Sequence, residues 1–228
     1  MVAFDEMRPQ GAGTRHPYLA YDSWLADQDA LRLTEKMRDA ERVFRKTGIT
    51  FAVYGESEAA ERLIPFDIVP RIISGTEWRR LTQGIEQRVQ ALNAFLEDIY
   101  HRQEILRAGR IPKELIAGNE AFLPEMIGVR PPAGVYTHII GVDIVRTGEN
   151  EFFVLEDNAR TPSGVSYMLE NRETMLRLCP ELFDLLPVRP VDSYPELLRD
   201  TLRSVSPRRS ADPVCVLLTP GQYNSAYY

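Results

Sequence analysis

The chain has 228 residues, 44% hydrophobic and 26% charged, enough apolar material for one large domain or two small ones, which excludes general disorder. Twenty-seven basic against 33 acidic residues leave a formal charge of −6, which argues against a nucleic-acid backbone as the main partner. No run approaches the roughly 18 uninterrupted apolar residues of a membrane-spanning helix, and the N-terminus lacks the basic-then-apolar order of a secretion signal. The expectation is a cytoplasmic protein without nucleic-acid or membrane partners. Cys179 and Cys215 show neither disulfide-scaffold density nor zinc spacing and read as reduced core residues.

Residues 1–27 mix Gly, Pro, Tyr and Trp without a clear period and read as an irregular arm. From about Asp29, the apolar residues Leu33, Met37, Ala40 and Phe44 recur at helical spacing, and Gly48 stands where a left-handed cap belongs. ITFAVY alternates like a strand, and Pro65 and Pro70 keep the following ERLIPFDIVPRIIS extended. Ser74 and Glu77 form a capping box that opens the longest periodic segment, Trp78, Leu81, Ile85, Val89, Leu92, Leu96 and Ile99. Such a helix, of about 30 residues and about 45 Å, crosses a whole domain. A short helix and turn is expected in IPKELIAGNEAFLPEM, then two strands around a turn containing Gly148, Glu149 and Asn150, then a helix in VSYMLENRETMLRL. Ser193 and Glu196 suggest a second capping box, and VCVLL reads as a buried strand. The domain division is 1–27 for the arm, 28–190 for the main part and 191–228 for the start of a second α/β unit.

Chemistry concentrates in residues 131–170. Six acids (Asp143, Glu149, Glu151, Glu156, Asp157, Glu170) and two bases (Arg146, Arg160) put −4 of the chain's −6 in this window. Strand alternation places Glu156 and Asn158 on one face and Asp157 on the other. An even-length hairpin loop opposes Asp143 with Val154 and sets Asp143 one diagonal step from Glu156. Two carboxylates and an amide oxygen, without sulfur or imidazole, suit a hard ion such as Mg²⁺, which keeps waters and takes further ligands from substrate phosphates. Spacing alone leaves the plainer reading open, in which acids decorate an exposed sheet face and Asn158 makes an Asx turn. Ser163 and Ser166 read as helix-capping residues, and His16, His101 and His138 lie far apart in sequence and read as structural, with His138, at the start of the hairpin, the best functional candidate of the three.

GVDIVRTGENEFFVLEDNARTPSG resembles the metal-binding hairpin of ATP-grasp ligases, in which a strand aspartate precedes a Glu-x-Asn motif and a Pro-containing turn. The Thr-Pro and the element order resemble the glutathionylspermidine synthase-like branch. YGE, ERLIPFDIVPRIIS, the long helix, PPAGVYTHIIGVDIVR, SGVSYMLENR and LLTPGQYNSAYY are similar to the bacterial circularly permuted ATP-grasp family, covering the chain from about Tyr54.

The resemblance implies magnesium ligation by Asp143, Glu156 and Asn158, and phosphate or acyl-phosphate binding by Arg160. In the glutathionylspermidine synthases an arginine stands two residues before the hairpin aspartate, where this chain has Gly141, so that role has no owner here unless Arg146 or Arg160 takes it. The fold implied is α+β, an antiparallel sheet flanked by long helices. The function implied is an ATP-dependent carboxylate-amine ligase using ATP and Mg²⁺ and acting through an acyl phosphate on small-molecule or peptide substrates. The phosphate-gripping lysine of such a site finds no match in Lys36, Lys46 or Lys113, so it is expected beyond Tyr228. The chain is read as the family's N-terminal half, a fragment inactive on its own. The alternative is a non-catalytic scaffold that keeps the fold and presents its long helix to a partner.

Overall fold

The computed structural model describes residues 3–52, 61–206 and 212–218. In chain order the helices are α1 (Leu19–Ala26), α2 (Ala30–Thr47), α3 (Gly75–Tyr100), α4 (Glu104–Arg107), α5 (Lys113–Ala117), α6 (Val165–Leu178), α7 (Pro180–Leu185) and α8 (Tyr194–Ser204). The strands are β1 (Thr50–Ala52), β2 (Glu61–Leu63), β3 (Gly141–Gly148) and β4 (Glu151–Asn158), in two antiparallel pairs, β1–β2 and β3–β4. The α+β class follows, with helices outnumbering strands among the described residues. YGE and the residues after Leu218, including Tyr223, Asn224, Tyr227 and Tyr228, lie outside the described residues.

The long helices start and stop where their caps are. The Asp29 side chain accepts from the Leu31 amide at 2.8 Å to open α2, and Gly48 closes it at φ +81°, a conformation that needs no Cβ. At α3 the capping box is complete: Glu77 N donates to Ser74 Oγ at 3.2 Å and Ser74 N to Glu77 Oε2 at 2.8 Å. With 26 residues α3 is about 39 Å long at 1.5 Å per residue. Ser193 and Glu196 match the same pattern but make no cap, because Ser193 has helical backbone (φ −74°, ψ −4°) and its hydroxyl caps nothing. Gly164 stands at the cap of α6, so neither Ser163 nor Ser166 caps it.

The opening stretch is not wholly irregular. It contains α1, and Tyr18, Tyr21 and Trp24 join Ile68, Cys179 and Leu182 in the core. The polar ends of its aromatics are satisfied: Tyr21 Oη donates to Ile68 O at 3.3 Å, the Tyr18 hydroxyl accepts from Ile72 N at 2.8 Å, and Trp24 Nε1 donates to Glu181 at 3.2 Å. The arm therefore ties the chain's beginning to α7. Cys179 is fully buried as expected, whereas Cys215 is exposed. Residues 212–218 form no strand, and Val214, Val216, Leu217 and Leu218 are exposed rather than buried.

Candidate functional site

The β3–β4 hairpin carries the candidate residues, and its register departs from the even-loop expectation. Asp143 stands opposite Glu156, not Val154, and Gly141 opposite Asn158. Nearer the turn, Ile144 pairs with Val154 and Arg146 with Phe152. The ladder shifts between Asp143 and Ile144, so Leu155 is the extra residue of a β-bulge. The bulge reverses the phase of β4. Phe152 and Val154 turn inward with Ile144, and strict alternation would send Glu156 and Asn158 after them. With Leu155 inserted, Asp157 turns inward instead. Glu156 and Asn158 share the outer face with Asp143.

The structure thus brings three of the four candidates together. Directly opposed residues share a face with Cβ atoms roughly 5 Å apart, and Asn158 Nδ2 donates to Glu156 Oε1 at 3.1 Å. All three side chains are exposed, and among the described residues neither Asp143 nor Glu156 has a cationic partner. Arg160, exposed in the turn after β4, makes no hydrogen bond or ion pair with them among the described residues. A Cβ on Gly141 would meet Pro162 Cβ at 3.2 Å and Asn158 Cβ at 3.5 Å, so Pro162 occupies the space that an arginine there would need.

The inner face is electrostatically closed. Arg88 of α3 grips Asp157 through Nε at 2.8 and 2.9 Å and Nη2 at 2.6 Å, and this grip holds the Asp157 carboxyl below the usual range. Arg146, its side chain 1% exposed, bonds Glu77 Oε1 at 2.6 Å and Glu6 Oε2 at 3.1 Å, and its guanidinium lies between the rings of Phe4 and Phe152. Arg15 bonds the same Glu77 oxygen, and Arg71 bonds Glu6 Oε1 through Nε at 2.7 Å. Burial alone would raise the Glu77 carboxyl. Hydrogen bonds from the Ser74 amide and Arg146 outweigh it and hold the group at about 2. Arg146 is therefore turned away from the three candidates and is unavailable for a phosphate role there. Glu6 and Arg15, 140 and 131 residues from Arg146, give no local sequence signal of this network.

An oxygen-only set of two carboxylates and one amide fits Mg²⁺ in donor chemistry. It falls short of a self-sufficient cage: no group of three or more His, Cys, Asp or Glu able to hold a metal occurs among the described residues. Two cavities occur along α3, and neither is lined by these three residues. One, of about 520 Å³, lies between α3 and the inner face, lined by Leu81, Gly84, Ile144, Phe152 and Val154 among others. The other, of about 470 Å³, lies between Asn93, Glu97 and the loop at Arg130–Gly134.

The family model described as "A circularly permuted ATPgrasp" matches residues 70–228, which include the whole hairpin. An uncharacterized protein of Mycobacterium tuberculosis is 47% identical over 227 residues, covering 100% of this chain and 40% of that protein. An uncharacterized protein of Synechocystis is 46% identical over 205 residues, covering 90% of this chain and 43% of its own length. The Frankia casuarinae protein named "Putative glutamate--cysteine ligase 2-2" is 34% identical over 228 residues, covering 100% of this chain and 26% of that protein. The chain thus spans well under half the length of each of these relatives, and it belongs to the circularly permuted ATP-grasp family.

Proposed function

We propose that this chain supplies the metal-holding part of an ATP-dependent carboxylate-amine ligase. One observation carries the reading: in a chain of the ATP-grasp family, two carboxylates stand directly opposite each other across β3 and β4, with an amide oxygen beside them and no cation of the described residues to balance them. Like charges so placed repel, and a divalent ion turns that repulsion into binding.

In this reading Asp143 and Glu156 hold Mg²⁺ through carboxylate oxygens, and Asn158 contributes its Oδ1 while its amide nitrogen keeps Glu156 oriented. When bound, the ion would draw negative charge from phosphate oxygens during phosphoryl transfer. Arg160, on the turn leaving the same face, meets the phosphate or the acyl phosphate formed when a substrate carboxylate attacks ATP and ADP departs. An amine then displaces phosphate to give the amide. Losing one such electrostatic contact costs about 3 kcal/mol of barrier, on the order of a hundredfold in rate. The order of motifs supports a likeness to the glutathionylspermidine synthase-like branch, and the Frankia relative's name supports amino-acid substrates in this reading.

The test is Glu156→Ala in a protein of the relatives' full length. ATP turnover is expected to be abolished while the melting temperature is kept or slightly raised, because the substitution also removes one of two opposed carboxylates. Turnover at the unaltered rate would remove the metal assignment.

A further inference from the structure

A second constellation lies where the C-terminal part of α3 meets the loop before β3. Glu97 is held in place there: the Tyr136 hydroxyl donates to its Oε2 at 2.6 Å, and His101 Nε2 stands 3.5 Å from that oxygen and 2.8 Å from the hydroxyl. The phenol has one proton and gives it to Glu97, so His101 Nε2 is the donor in its bond to Tyr136. The Tyr136 hydroxyl is pushed up to about 12 by burial and by Glu97 and keeps its proton, while its hydrogen bond holds the Glu97 carboxyl below the usual range.

These bonds engage Oε2 and leave Oε1 toward Arg130, whose Nη2 is 3.6 Å away, beyond hydrogen-bond distance. Arg130 makes no other ion pair among the described residues. The walls are firm. Asn93 Oδ1 accepts from the amides of Tyr136 at 2.7 Å and Thr137 at 3.0 Å, and its Nδ2 donates to Thr137 O at 3.1 Å. Opposite, Pro131 and Pro132 precede Ala133, held at φ +56°, a conformation that costs a non-glycine residue about 1 kcal/mol and that the surrounding structure must impose. Between the walls is the cavity of about 470 Å³, within the size range of small-molecule sites.

We propose that this cavity binds a zwitterion of the α-amino-acid type, its carboxylate on Arg130 and its ammonium on Glu97. A simple anion would be taken by Arg130 and repelled by Glu97, and a simple cation the reverse. A dipolar ligand satisfies both and converts a loose surface pair into two charge-assisted hydrogen bonds. The site uses none of the metal-face residues. Glu97 lies roughly 14 Å along α3 from Arg88, where the helix meets the hairpin, by the nine-residue separation at 1.5 Å per residue. The site can therefore fail while the ligase reading stands, and the reverse.

The experiment is an NMR titration of the isotopically labelled chain with L-alanine, N-acetyl-L-alanine, which lacks the ammonium, and L-alaninamide, which lacks the carboxylate. Saturable shifts of the Arg130, Gly134, Tyr136 and Thr137 amides are expected with L-alanine. Each blocked analogue should bind weaker by about tenfold or more, the size of one charge-assisted hydrogen bond. Glu97→Gln, which keeps an oxygen for Tyr136, and Arg130→Gln, at an exposed site, should leave the rest of the spectrum in place and weaken L-alanine by a similar factor. No saturable response to L-alanine, equal binding of the three probes, or indifference to both substitutions overturns the assignment.

Discussion

The two faces of the β3–β4 hairpin follow opposite electrostatic rules. On the inner face every charge has a partner: Asp157 is chelated by Arg88, and Arg146 joins Glu6 and Glu77 beneath the N-terminal arm. On the outer face Asp143 stands opposite Glu156 with no cationic partner among the described residues, beside Phe153 and Leu155, 59% and 71% exposed. A hairpin stabilised only by its own contacts would not place like charges across from each other. The inner face holds the hairpin against α3 and the arm, and the outer face carries a charge pattern that no cation of the described residues balances.

Removing the inner clasp should have the largest effect. Arg146→Met strips two nearly buried carboxylates of a shared partner, for which losses of about 3–5 kcal/mol are typical. Arg15 still bonds Glu77 and Arg71 still bonds Glu6, so the lower end is expected in urea unfolding. A loss below about 1 kcal/mol would mean that the network is ornamental. Acid gives a milder version of the same cut. Glu77 titrates at about 2 in the folded chain against 4.5 as a free side chain, so its contribution is complete above pH 4.5 and disappears as the pH falls toward 2. The loss is up to about 3 kcal/mol. Glu77→Gln should flatten that stretch of the stability profile, and an unchanged acid limb would show that other carboxyls govern it.

The contrast between the faces also explains what could be read beforehand. Helices α2 and α3 were legible because a 3.6-residue apolar period and a capping signal coincide in each. The candidate set was legible as residue types on one face, yet the register that supported it was wrong. Phe152 to Leu155 are apolar without a break, so no alternation marks where the phase of β4 reverses. The bulge is decided by two demands made far away in sequence, Arg88 claiming Asp157 and α3 claiming Ile144 and Val154. The pairing of Glu6 with Arg146 spans 140 residues and leaves no local trace. In Ser193 and Glu196 the pattern was present but the backbone did not take the extended turn that a cap requires. The VCVLL run had the composition of a buried strand, but composition does not supply a neighbour.

The finest discrimination between the faces comes from neutralising one aspartate on each. Asp157→Asn weakens a bidentate pair whose arginine is half exposed, and should destabilise the chain by about 1 kcal/mol or less. Asp143→Asn relieves a like-charge opposition and should stabilise it, by about 0.2–1 kcal/mol. The two substitutions are chemically identical, lie on adjacent strands and are expected to differ in sign, so a thermal melt of each at low ionic strength decides the matter. Added Mg²⁺ sharpens it further. A ligand that binds the folded state raises the melting temperature, so the ion should lift the unaltered chain and Asp157→Asn alike, and Asp143→Asn least. If Asp143→Asn proves destabilising instead, the outer carboxylates are already balanced within the chain, and the case for an external cation loses its footing.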